Sequence, residues 1–240
     1  MSLTWTAAAL IILGASFVMG LAGFGIALVS LAFLPYFMPP ASAVVLITIY
    51  AFAFAVGVVI QLRREVVPGA IATLLVGTLI GMPFGVWALA ALPASALTRL
   101  IGLMLLVAVG LEWLGLYPQR LAGRLWGLGA GALAGVTGGA AGTPGPPVIL
   151  YAAAQRWSPR TMKANLQAFL VVNQGAILLG YWWAGLLTAE VGRLVVVFAV
   201  PAALGVLGGV ALFGRIDPAA FRRVLFAVLL VSGLVLLVRG

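Results

Sequence analysis

Apolar residues in this chain do not alternate with polar ones at a helical or strand period. They run in long blocks divided by short clusters of proline, glycine and arginine. A block of about 20 apolar residues has the length of a bilayer-crossing helix. Residues 41–62, 67–92 and 97–116 predict three such helices, the first closed by Arg63 and Arg64 and the other two divided at Leu92 and Pro93. Residues 160–187, 191–213 and 218–238 predict three more. Two further apolar blocks are interrupted. The first, 3–38, contains Gly20, Gly23, Gly25 and Pro35 and runs into Pro39 and Pro40; the second, 125–155, contains GVTGGAAGTPGPP at 135–147. Proline inside a helix removes a backbone hydrogen bond and clashes with the preceding turn, at about 3 kcal/mol. Both blocks are therefore expected to break.

The second block is the more informative. Residues 125–155 are an uncharged run of 31, and a straight helix through them would be about 46 Å long, well beyond the roughly 30 Å hydrocarbon core. Folded at 138–147, each arm would end near the midplane. Gly127, Gly131 and Gly135 give the entering arm a smooth packing face, as Gly77, Gly81 and Gly85 do for the helix at 67–92. Thr143 and Pro144 read as N-cap and first helical residue of the returning arm. Its free backbone donors and positive dipole end would lie at the tip, an anion-binding device without a buried charged side chain. Gly23, Phe24 and Gly25 are expected to supply a mirror image, the two helix starts meeting near a pseudo-two-fold axis.

Internal correspondence supports a duplicated architecture. Gly20 and Gly23 correspond to Gly135 and Gly138, Pro40 to Pro159, Gly81 to Gly205 and Gly209, and the Leu92–Pro93 turn to Asp217–Pro218. The fold expected is an all-α polytopic membrane protein of two inverted repeats, 1–118 and 119–240, each a broken helical hairpin followed by three transmembrane helices. Charge decides how the second hairpin runs. If both broken blocks cross fully, the basic residues divide six against seven; if 125–155 dips in and returns, ten fall on one face and only Arg99, Arg193 and Arg239 on the other. The positive-inside rule then places the ten-residue face in the cytoplasm and the C-terminus outside. No charge precedes 3–38, so only the repeat relation makes that block a hairpin.

Composition narrows the function. The chain is 65% hydrophobic and 7% charged, with net charge +9, but its basic residues lie at segment ends, where they orient helices instead of binding nucleic acid. No cleavable signal peptide is expected, because the first apolar run lacks a basic lead and continues too far. Histidine and cysteine are absent, which removes imidazole and thiolate metal ligands and most acid/base catalysis. An enzyme is disfavoured, and neither metal nor cofactor is expected. No GxxxxGK[ST] loop occurs, so the chain has no ATPase of its own. Glu112, near the end of the fourth span, is the one acid placed to couple protons, against a plainer reading as a surface residue.

Beside the second break, 161–181 carries Lys163, Asn165, Gln167, Asn173 and Gln174. Lys163, Gln167 and Gln174 share one helical stripe, and Asn165 projects from another face. Intramembrane amides can read sulfonyl or carboxylate oxygens, or can satisfy backbone groups freed by the hairpin. Thr48 and Tyr50 are the nearest polar counterparts in the first half, and Arg156 and Arg160 anchor the loop or gather anions. The substrate-binding set expected from these arguments is Gly23, Phe24, Gly25, Thr48, Gly138, Gly139, Thr143, Gly145, Asn165, Gln167 and Gln174.

The segments GLAGFGIALVSLAFLPYFMPP and GVTGGAAGTPGPPVILYAAAQRWSP resemble the sulfite exporter TauE/SafE family, also called the toluene sulfonate uptake permease family, and the resemblance covers nearly the whole chain. The family's usual first motif carries a denser glycine run than Gly23, Phe24 and Gly25. The resemblance implies export or uptake of sulfite, thiosulfate or small organosulfonates across the cytoplasmic membrane, with a small anion and the lipid bilayer as partners and a homodimer left open. The expected function is a secondary transporter working by alternating access about a midplane site. An anion channel, a carboxylate carrier and a non-transport membrane scaffold are the alternatives.

Overall fold

The structure, a computed structural model, describes residues 3–23, 25–113, 123–155, 157–212 and 218–239. Among these, every regular element is helical: α1 (Leu3–Ala22), α2 (Ile26–Phe33), α3 (Pro40–Leu62), α4 (Pro68–Ala91), α5 (Ala94–Trp113), α6 (Arg124–Ala141), α7 (Gly145–Ala153), α8 (Pro159–Trp183), α9 (Ala189–Leu212) and α10 (Pro218–Arg239), with 3₁₀ turns at Leu34–Tyr36 and Arg63–Glu65. Proline opens α3, α4, α8 and α10, where it forfeits only an N–H that no helical carbonyl could have accepted. Hydroxyls cap two starts: Ser158 Oγ accepts the Thr161 N–H at 3.2 Å, and Thr188 Oγ1 accepts the Val191 N–H at 3.2 Å.

Among the described residues, α1, α3, α4, α5 and α9 are long and apolar enough to cross a bilayer. The protein is a multi-pass membrane protein. By contrast α2 and α7, at 8 and 9 residues, extend only about 12–14 Å and cannot span a core of roughly 30 Å. Each follows a break at glycine in the left-handed region: Gly23 and Gly25 before α2, Gly142 before α7.

The helices form two compact units. One contains α1, α2, the start of α3 up to Ile47, α5, α9 and α10; the other contains α3 from Thr48, α4, α6, α7 and α8. In the first unit, α1 lies along α9, with Gly20 and Gly209 backbone to backbone and Gly205 against Leu13 and Ser16. Alongside, α5 pairs with α10 where Gly102 meets Gly233, and α2 packs against α1, α5 and α10. Ile12, Leu31, Leu34, Phe198 and Leu229 are buried there, and Trp5 stacks on Phe198 at 5.7 Å.

The second unit is built on a glycine seam. A Cβ on Gly77, Gly81 or Gly85 of α4 would collide with the carbonyls of Leu128, Ala132 or Val136 on α6, and a Cβ on Gly131 with that of Leu74. Two helices without side chains at their contact line approach to backbone distance, and dispersion replaces the hydrophobic drive that lipid cannot supply. Thr78 Oγ1 closes the seam by donating to the Gly131 carbonyl at 3.1 Å. The glycine ladder of 67–92 thus finds its partner in the entering arm of the second broken block.

Candidate functional site

The site is assembled where α6 ends and α7 begins. Gly142 adopts φ 61° and lets the chain leave α6 with its terminal carbonyls satisfied: the Gly142 N–H bonds Gly138 O at 2.8 Å and the Thr143 N–H reaches Thr137 O at 3.3 Å. Such paired bonds about a left-handed glycine are a recurrent helix stop. Thr137 Oγ1 fixes the turn from the side, donating to the Thr143 carbonyl at 3.0 Å.

The chain then folds back. A Cβ on Gly127 would lie 3.5 Å from Tyr151 Cε2, whereas a straight helix would separate these residues by about 36 Å. Val148 and Tyr151 of α7 pack with Ile71 and Leu74 of α4, Ala134 of α6 and Phe169 of α8, and Trp157 meets the Tyr151 ring edge-on at 6.4 Å. The interrupted block 125–155 is a helical hairpin held inside the second unit.

Its tip differs from the sequence expectation in two respects. Thr143 does not cap α7: the capping position is Pro144, already helical at φ −72° and ψ −11°, and no side chain bonds the first turn. Pro144 thus has the helical dihedrals that the Thr–Pro pair implies, but the Thr143 hydroxyl makes no capping bond. The start of α7 is also poor in donors. Pro144, Pro146 and Pro147 have no N–H, and the Val148 amide is taken up by the helix, so Gly145 carries the one free amide of the first turn.

Side chains of α8 take over that role. A Cβ on Gly138 would lie 2.8 Å from Ile177 Cδ1, 3.2 Å from Pro144 Cβ and 3.4 Å from Asn173 Nδ2. Asn173 is fully buried against the tip, and neither its Oδ1 nor its Nδ2 has a partner. Thr143 is 6% exposed with its hydroxyl unpartnered, and Gln174, 2% exposed, has a free Oε1. Buried polar groups are almost always bonded, and unbonded ones inside a bilayer are costly. Such a cluster fits a polar ligand. Tyr181, one turn past Ile177, instead closes the hairpin end: its hydroxyl donates to Gly139 O at 2.7 Å, with Gly138 O at 3.3 Å, and Thr48 of α3 bonds the same phenol.

The other expected site residues fall as follows. Gly138, Gly139, Thr143 and Gly145 lie at the tip, Thr48 reaches it through Tyr181, and Gln174 is buried on α8 in the position after Asn173. Gln167 is buried and already engaged. Lys163, on the same stripe, is exposed. Asn165 serves the far end of α8, where its Oδ1 accepts the Val67 N–H at 2.8 Å and secures the entry to α4. Gly23 and Gly25 belong to the first unit, Gly25 being the capping residue of α2; Phe24 lies outside the described residues. Glu112 falls on α5, and its side chain, like Arg156, also lies outside them. Asn173 stands out only once the phase of α8 against the tip is known. Its place among the polar residues of 161–181, beside Gln174, was the sequence signal available.

A family model described as sulfite exporter TauE/SafE matches residues 8–236. The chain belongs to that family. No curated protein and no solved structure matches it. The match reaches into both broken blocks and both units, and the family is one of membrane transporters of sulfur oxyanions.

Proposed function

We propose that the protein is a secondary transporter moving sulfite or a small organosulfonate across the cytoplasmic membrane, with the α6–α7 tip as its anion site. The observation that carries this reading is the unpartnered, buried Asn173 side chain beside Gly138, with the Thr143 hydroxyl and the Gly145 amide at the same turn. Neutral donors and the positive end of a short helix are a membrane-compatible way to hold an anion. In this reading the halves 1–118 and 119–240 are inverted repeats, and alternating access follows as the two repeats rock about the site. The basic residues flanking the second hairpin face the cytoplasm and the C-terminus lies outside, in keeping with the ten-to-three charge division.

Purified protein in proteoliposomes should accumulate labelled sulfite and methanesulfonate above empty vesicles, with carboxylates competing weakly. Folded protein that moves neither anion would rule this function out. Single cysteines at Arg124 and Gln155 should both be labelled from the cytoplasmic side; labelling from opposite sides would contradict the membrane path given to the hairpin.

A further inference from the structure

The tip is built entirely from neutral groups. Among the described residues no charged side chain is buried; in the second unit Arg63, Arg64, Arg124, Arg160 and Lys163 are exposed, and Glu65 is half-buried. The titratable group at the tip is Tyr181, whose hydroxyl proton is held by Gly139. Three prolines reduce the start of α7 to one free amide. The cost of taking an ion out of water rises with the square of its charge. One amide, one hydroxyl and one carboxamide can offset that cost for a single charge far better than for two.

The same groups also accept hydrogen bonds. An amide presents one donor and one acceptor face whichever way it is turned, and a hydroxyl does both. Asn173 Oδ1 and Thr143 Oγ1 are both unpartnered. A dianion such as sulfate or SO₃²⁻ would meet these acceptor oxygens with about twice the repulsion that a monoanion meets. Hydrogen sulfite brings one proton and one negative charge, and a sulfonate brings one charge and an apolar group that Ile177, bordering Gly138, can cover.

We propose that this site takes its oxyanion only as a monoanion, hydrogen sulfite or R–SO₃⁻, and rejects dianions; the proposal rests on the transport reading above. Sulfite changes from monoanion to dianion as pH rises through its second ionisation, whereas methanesulfonate stays a monoanion throughout. The test is uptake of labelled sulfite and of labelled methanesulfonate in proteoliposomes, each far below saturation, at a series of pH values spanning that ionisation. Methanesulfonate flux carries any titration of the protein, so the ratio of the two fluxes isolates the substrate's charge. The expected ratio is constant below the ionisation and falls about tenfold per pH unit above it, and sulfate should not compete at any pH. A flat ratio, or competition by sulfate equal to that by methanesulfonate, would overturn the monoanion proposal while leaving transport intact. Absence of flux for both anions at every pH would remove the transport function and this proposal together.

Discussion

The two interrupted helices use the same backbone device and expose opposite chemistry. Before α2, Gly23 and Gly25 are both left-handed, and the first turn is Ile26, Ala27 and Leu28. Each of these has an N–H that no helical carbonyl can accept. Before α7, a single left-handed glycine is followed by a proline-rich turn that keeps one such amide. The polar side chains differ in the reverse sense. Within the first unit the buried polar groups on the broken block are Ser16 and Ser30; at the second break a neighbouring helix supplies carboxamides and a phenol. A helix start can therefore bind through its backbone or be stiffened by proline and bind through its neighbours. The second arrangement loses backbone donors but fixes the turn and sets side-chain donors beside it.

The largest expected effect is on the frame that carries the second break. Gly131→Val would drive a side chain into the Leu74 backbone and should cost about 3 kcal/mol or more, seen as loss of monodisperse protein in detergent. Gly129→Val, on the open side of α6, should leave stability unchanged. Equal behaviour of the two would mean that the seam does not hold the hairpin.

Next come the two asparagines of α8. Asn165→Leu leaves the Val67 N–H unbonded and should destabilise by about 1–3 kcal/mol, with flux per folded molecule retained. Asn173→Leu removes two unsatisfied polar atoms and should leave the melting temperature equal or higher. Measured side by side, thermal unfolding separates an asparagine that bonds the backbone from one whose side chain bonds nothing in the protein.

The smallest effects probe the amide count. Pro146→Ala restores one N–H to the first turn of α7 and should tighten anion binding a few-fold, within about 1 kcal/mol. Ala27→Pro removes one from α2 at a position where proline's φ is already helical. Weaker sulfite binding in the second variant would show that the first break also contacts the anion; no change would confine binding to the α6–α7 tip.

Much of this architecture is legible in the amino-acid sequence. The apolar blocks and their proline and glycine interruptions mark a helical membrane protein with two breaks, because a bilayer admits few other backbones. The 77–81–85 ladder announces a close helix contact but not its partner, since any small-residue face would serve. The roles of Asn165 and Asn173 were not legible, because they depend on the rotation of α8 and on which backbone groups lie opposite. Lys163, Gln167 and Gln174 share a stripe, yet one end is exposed and the other buried, and helical phase alone carries no information about depth. Thr143 looks like a cap by residue type, but its hydroxyl bonds no amide of the first turn. The loss of amides at Pro144, Pro146 and Pro147 follows from sequence once that start is fixed.

Sulfite uptake by Asn173→Leu in proteoliposomes, normalised to folded protein, tests the anion site most directly. The expected result is normal thermal stability with uptake at least about tenfold below wild type, the equivalent of one lost hydrogen bond to a charged group. Undiminished uptake by the stable variant would contradict the placement of the anion at the α6–α7 tip.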